Sequence, residues 1–151
     1  MIIELPAPLR RNLKRRVWRA GRCEIGGILM AEQIEPGRFR LAEFTVDNRR
    51  GSAAHFVRSV DEHRRALEDF FLRTRSNFSR FNYIGEWHSH PNHLPVPSAQ
   101  DIRSMQSLVE GENDIPFSIL LIVRKKWLGL MLSATLFQRD GEPSPIDVRL
   151  A

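Results

Sequence analysis

Two histidines one residue apart, with an acid eleven residues further on, are the side chains in this sequence best placed to do chemistry together. They lie in Gly85-Glu86-Trp87-His88-Ser89-His90-Pro91, followed after a short loop by Pro97-Ser98-Ala99-Gln100-Asp101. The preceding residues, Phe81-Asn82-Tyr83-Ile84, are aromatic and β-branched and favour a strand. Alternate side chains of a strand share a face about 6–7 Å apart, so His88 and His90 can reach one metal ion. Pro91 cannot continue a ladder and ends the strand. Pro97 and Ser98 open a helix with Asp101 in its first turn, where the carboxylate can turn back as a third ligand. Two His and one Asp leave a fourth tetrahedral position for water, as in a catalytic rather than a structural zinc site.

Plainer roles compete for the same residues. Ser98 with Asp101 three residues on is nearly a capping box, and acids are common in a helix's first turn. Taken alone, a His-x-His pair on a strand is more often structural. Glu86 precedes His88 by two residues, so in an unbroken strand it shares the histidines' face and stands as an alternative ligand or base. His93 lies in the following loop, where it can touch substrate or simply face solvent. Cys23 is not paired with a histidine in a nucleophile pattern.

The elements that must position these groups follow from periodicity. Met1–Leu5 reads as a short strand, and Pro6 and Pro8 precede a helix over residues 8–20. Leu9, Leu13 and Val17 form its buried stripe, Trp18 sits at the margin, and Gly21 ends it. Glu24–Met30 reads as a strand whose Gly26-Gly27 admits a close neighbour, Glu35-Pro36-Gly37 as a turn, and Phe39–Val46 as the partner strand. Asp47–Ala54 is a loop, and residues 55–57 a short strand. Ser59 with Glu62 starts a helix to about Arg75, with Val60, His63, Leu67, Phe70 and Phe71 on one face; His63 is there a core histidine. Ser98–Glu110 is a helix with Ile102, Met105, Leu108 and Val109 inward, broken at Gly111–Asp114. Phe117–Val123 and Trp127–Phe137 form a hairpin around a basic Arg124-Lys125-Lys126 turn. The tail from Arg139, with Pro143 and Pro145, reads as poorly ordered or an edge extension.

Composition bounds the class. The 151 residues suit one domain with a sizeable core. The longest apolar runs are too short or too interrupted to span a bilayer, and no N-terminal signal pattern is visible. A single cysteine excludes an internal disulfide framework and suits a reducing cytoplasm. The net charge of +5 is carried mainly by arginine, with Arg10, Arg11, Lys14, Arg15, Arg16, Arg19 and Arg22 crowded together. Such a cluster attracts nucleic acid or an acidic protein, though it is more often the solvated face of a helix. No zinc knuckle or RNA-binding aromatic motif supports nucleic acid.

The spacing His88-Ser89-His90-Pro91, six residues, Ser98, two residues, Asp101 resembles the JAMM signature of JAB/MPN-domain metallopeptidases. That family also requires an upstream glutamate, and Glu24 in Cys23-Glu24-Ile25-Gly26-Gly27-Ile28-Leu29 is similar to it. The run from Gly85 to Pro91 most resembles the compact bacterial JAB peptidases found beside ubiquitin-like conjugation genes in anti-phage and mobile-element operons. The resemblance spans roughly residues 20 to 135. It implies an α/β fold, a single cytidine-deaminase-like MPN domain with a mixed, curved β-sheet flanked by helices. It implies one zinc ion per chain on His88, His90 and Asp101, with Glu24 as general base and then general acid and Ser98 as oxyanion donor. The reaction implied is amide hydrolysis, with a ubiquitin-like modifier or conjugate as substrate and conjugation proteins of the same operon as partners. Three other readings share the motif. One is a peptidase of sulfur-carrier or small-adduct metabolism, another a RadC-like nucleic-acid-associated module, and the last a catalytically dead scaffold. The retained motif residues argue against the dead scaffold, and the lack of a helix-hairpin-helix segment argues against the RadC-like module.

Overall fold

A computed structural model of the chain describes residues 1–47, 60–111 and 115–151. In chain order the elements are β1 (Ile2–Leu5), α1 (Ala7–Ala20), β2 (Gly26–Glu35), β3 (Arg38–Phe44), α2 (Val60–Arg73), β4 (Phe81–Ser89), α3 (Ala99–Glu110), β5 (Phe117–Lys126), β6 (Gly129–Gln138) and β7 (Ser144–Leu150). The strands join in the order β1-β3-β2-β4-β5-β6-β7. Parallel pairing of β7 with β1 then closes the sheet into a barrel. β1–β3 and β4–β5 are also parallel, and the other neighbours antiparallel. The expected mixed, curved sheet with flanking helices is thus present, its curvature carried to closure.

Three apolar layers hold the helices. Inside the curve, Ile3, Leu29, Trp87, Leu121 and Val123 pack with Leu13 and Val17 of α1. α1 lies against β5 and β3, which are not neighbours in the sheet, so it spans the mouth of the barrel. Gly21, at φ 64, ends it as the sequence predicts. On the outer face, Phe70 of α2 packs on Ile28 and Met30, while Met105 and Val109 of α3 pack on Leu120, Ile122 and Phe137.

Two glycines make this packing possible. A Cβ on Gly27 would lie 2.2 Å from the Thr45 carbonyl oxygen, so the close neighbour expected at Gly26-Gly27 is the chain itself. Gly85, at φ 150, passes against the backbone of Ile119, where a Cβ would fall 2.0 Å from its oxygen. The β2–β4 register shifts there, with Leu29 opposite Gly85 but Met30 opposite Tyr83. This bulge puts Tyr83 and Glu86 on one face although they are three residues apart.

Four expectations need correction. The first strand of the site hairpin runs from Gly26 to Glu35, so Glu24 precedes it. The basic residues Arg124-Lys125-Lys126 stay within β5, paired with Met131, Leu130 and Gly129, and the chain reverses at Trp127-Leu128 instead. Their long stems tolerate a strand whose end stands clear of the core. Ser144–Leu150 is a strand paired on both sides, not a loose tail, because its backbone groups complete the closure. In α3 the inward stripe is Asp101, Met105 and Val109, four residues apart, which leaves Ile102 38% exposed. The predicted strand at residues 55–57 and the capping box at Ser59 lie outside the described residues.

Candidate metal centre

β4 carries the histidines because its pairing places them. His88 lies opposite Gly26 on β2 and Ile122 on β5, so no β2 side chain crowds it from one side. His90 follows the end of β4, yet its N–H donates to the Val123 carbonyl at 2.9 Å, so it keeps its place beside β5. Its Nδ1 lies 2.9 Å from the Leu94 carbonyl. A carbonyl only accepts, so Nδ1 carries the proton there and Nε2 presents a lone pair. Both histidines are buried.

The loop after Pro91 brings α3 to the same place. Ser98 caps α3: its Oγ accepts from the Asp101 N–H at 3.1 Å, and its own N–H donates back to Asp101 Oδ2 at 2.7 Å. The Ser98 hydroxyl also donates to Oδ2 at 2.7 Å. The capping reading and the ligand reading therefore coexist, because the cap is what aims the carboxylate. Burial by itself would raise the Asp101 carboxyl. His88 and the Ser98 donors outweigh it and hold the group down at about 2.

The side-chain atoms converge tightly. The two Nε2 atoms are 3.0 Å apart. Asp101 Oδ2 lies 3.6 Å from His88 Nε2 and 3.8 Å from His90 Nε2. Ligands about 2.0 Å from a tetrahedral zinc ion would be about 3.3 Å from one another, and the observed separations bracket that value. Two imidazole nitrogens and a carboxylate oxygen within 4.8 Å, all buried, form a group that could hold a metal ion.

The other sequence candidates fall around this cluster. Ile25 exchanges hydrogen bonds with Ser89, its carbonyl accepting from Ser89 N–H at 2.8 Å and its N–H donating to Ser89 Oγ at 3.1 Å. Extended by one residue, that register sets Glu24 opposite His90, on the side of the sheet where Gly26 meets His88. Among the described residues, Glu24 makes no hydrogen bond or ion pair with the cluster. Glu86 does share the histidines' face, and burial pushes its carboxyl up to about 7. Burial and the Glu86 charge likewise raise the Tyr83 phenol, whose oxygen lies 3.4 Å from Ser118 Oγ. The His93 ring stands edge-on to His90, 6.3 Å between centroids, and Cys23 is exposed.

Two supports escaped the sequence reading. Leu94 orients His90 through its carbonyl, which leaves no trace in side-chain identity. Thr45 joins three elements: its Oγ accepts from Ile28 N–H at 2.9 Å and shares a hydrogen bond of 2.8 Å with His63 Nδ1, while its carbonyl accepts from the Trp87 indole at 2.8 Å. His63 is buried against this hub, a core histidine as its apolar stripe predicts.

Comparison with known proteins points the same way. The family profile described as prokaryotic homologs of the JAB domain matches residues 6–135. The chain is similar to two proteins named CD-NTase/cGAS isopeptidase. The one from Escherichia coli is 31% identical over 118 residues, covering 70% of this chain and 66% of that protein. The one from Vibrio cholerae is 43% identical over 49 residues, covering 31% of this chain and 30% of that protein. The chain thus spans less than two thirds of either relative. Among solved structures, one of a Desulfitobacterium hafniense protein superposes with a TM-score of 0.72 at 21% identity, covering 99% of this chain and 92% of that one. One of a Salinibacter ruber protein reaches 0.61 at 21% identity, covering 98% and 91%. At that identity the likeness speaks for the fold alone.

Proposed function

Because this chain belongs to the prokaryotic JAB-domain family, we propose that it is a zinc-dependent isopeptidase. It hydrolyses the amide bond between a ubiquitin-like modifier, or a comparable protein C-terminus, and its target. The observation that carries this reading is the convergence of buried ligand atoms of His88, His90 and Asp101 within 4.8 Å. The names of the two relatives support the isopeptidase class and make conjugates of CD-NTase/cGAS proteins the first substrates to try.

In this reading His88, His90 and Asp101 hold one zinc ion per chain. Bound there, zinc supplies a water of lowered pKa and polarises the scissile carbonyl. Glu24 takes the proton from the attacking water and later delivers it to the departing amine nitrogen. The Ser98 hydroxyl turns from Asp101 to donate to the developing oxyanion. Its backbone N–H, which also donates to Asp101 Oδ2, keeps the carboxylate aimed while the hydroxyl moves. The Leu94 carbonyl holds the His90 ring in the tautomer that binding requires. Residues 1–151 act as one domain, a reading supported by the closure of the sheet through β1 and β7. The protein works in the cytoplasm, beside the conjugation proteins of its operon.

The decisive experiment incubates the zinc-loaded protein with conjugates of a ubiquitin-like modifier and of a CD-NTase/cGAS protein, and maps the products by mass. A freed modifier C-terminus and an unmodified target lysine are expected, with loss of both after chelation. Conjugates left intact by zinc-loaded protein would remove the isopeptidase reading.

A further inference from the structure

The β5–β6 hairpin ends in the two most exposed large apolar side chains among the described residues, Trp127 at 91% and Leu128 at 81%. Exposed apolar surface of this kind usually marks a contact. Beside the tip runs a groove of about 390 Å³ at the mouth of the barrel. Leu130, Leu132 and Leu150 line one side of it, and Arg10, Arg11 and Lys14 of α1 the other.

Among the described residues no acid pairs with the cations around this groove. α1 contains no acidic residue. Lys14 Nζ donates to the Leu128 carbonyl at 3.1 Å and lies 5.1 Å from the Trp18 ring centre, and Lys125 Nζ donates to the Gly21 carbonyl at 3.1 Å. Among the described residues, Arg10, Arg11, Lys14, Lys125 and Lys126 form no ion pair. Four arginines elsewhere on the surface are paired: Arg38 and Arg40 with Glu4, Arg73 with Glu43, and Arg80 with Glu32.

We propose that the hairpin tip and this groove are a docking surface for an acidic polypeptide segment carrying an aliphatic or aromatic side chain. The segment belongs to the protein whose amide bond is cut at the metal centre. Only that last identification rests on the isopeptidase reading. The topology connects the two places. Val123 accepts from His90 N–H, and β5 then continues to the tip, four residues or about 13 Å further along the strand. A partner seated in the groove is therefore held at the end of the sheet that carries the histidines. A second copy of the chain would set cations against cations. A bilayer would meet Trp127, Leu128 and the exposed Leu150 but not the half-buried Leu130 and Leu132 beside α1.

The test uses the full chain and a fluorescein-labelled peptide of glutamates interrupted by leucines, followed by anisotropy. Parallel arms use the glutamine counterpart, phosphatidylglycerol vesicles and a single-stranded oligonucleotide. Saturable binding of the acidic peptide is expected, weakening with salt. It should fall about 10-fold or more in Trp127→Ser/Leu128→Ser and in Arg10→Glu/Arg11→Glu, and stay unchanged in His88→Ala. With a cleavable conjugate, the same double variants should raise KM about 10-fold and leave kcat alone. Absent peptide binding, binding equal in every variant, or preference for vesicles or oligonucleotide would overturn the docking surface. An unchanged KM would overturn the identification of the partner as substrate. If no conjugate is cut while tip variants still lose the peptide, the isopeptidase reading fails and the docking surface stands.

Discussion

Two polar clusters on this barrel each hold a buried acid, and among the described residues arginines pair with only one of those acids. Glu4 on β1 is 5% exposed, and Arg38 Nε and Arg40 Nε donate to it at 2.8 and 3.1 Å. Its charge meets opposite charge from the neighbouring strand, which is how a buried acid is normally tolerated. At the other cluster, His88 and His90 bring nitrogen to nitrogen at 3.0 Å, with a carboxylate oxygen beside them. No Arg or Lys of the described residues pairs with Asp101. A polar group that its own chain neutralises is architecture. His88, His90 and Asp101 instead form a group that could hold a metal ion, and this contrast separates the two regions better than burial of the acid, which they share.

The largest effect should come from removing a member of the converging cluster. Wild-type protein purified without added metal is expected to carry about one zinc per chain by metal analysis. His88→Ala should lose the zinc and hydrolysis together while keeping its circular dichroism. Full activity after thorough demetallation would break the comparison outright.

Next in size is the separation of Glu24 from Glu86. Glu24→Ala should retain zinc and bind conjugate, and slow the single-turnover rate by about 100- to 10,000-fold. Glu86→Ala should be much milder. A silent Glu24→Ala beside a dead, zinc-loaded Glu86→Ala would reverse the assignment, and zinc loss in Glu24→Ala would make that residue a ligand.

Ser98 sharpens the contrast because it caps α3 and is proposed to serve also as oxyanion donor. Ser98→Ala should cost about 0.5–2 kcal/mol of stability as a lost cap. It should also lower kcat by about 100-fold as a lost oxyanion donor, with zinc content little changed. Lowered stability with intact kcat would reduce Ser98 to the cap seen in the structure.

The smallest effect belongs to the arginine-paired cluster. The hydrogen bond from Arg38 does most to hold the Glu4 carboxyl below its ordinary 4.5, with Arg40 adding to it against the opposing effect of burial. A depressed acid contributes stability that is full above the unfolded value and is lost as pH falls through the folded one. Glu4→Gln should therefore be less stable than wild type at pH 7 by urea unfolding, and the difference should shrink once the pH drops below about 4.5. Zinc content and turnover should not change. A stability difference independent of pH would show that packing, not charge, gives Glu4 its role.

How much of this could be read from the residues divides along one physical line. Local patterns were legible because short-range rules govern them. The apolar stripe and Gly21 stop of α1, the strand ending before Pro91, the Ser98 cap and the core position of His63 all follow from neighbours in sequence. The cluster of His88, His90 and Asp101 was legible for the same reason, since one strand, one short loop and one helix turn carry all three. What depended on distant segments was not. That β7 closes the barrel depends on β1, more than a hundred residues away, offering it a free edge. That Arg124–Lys126 extend a strand and leave Trp127 in solvent depends on β6 holding register to its first residue. Glu24 could be named only by likeness to a family, and the pairing of Ile25 with Ser89 is what sets it across from His90. Periodicity records which way a side chain points within its own element, whereas the identity of the strand alongside is decided only when the sheet is assembled.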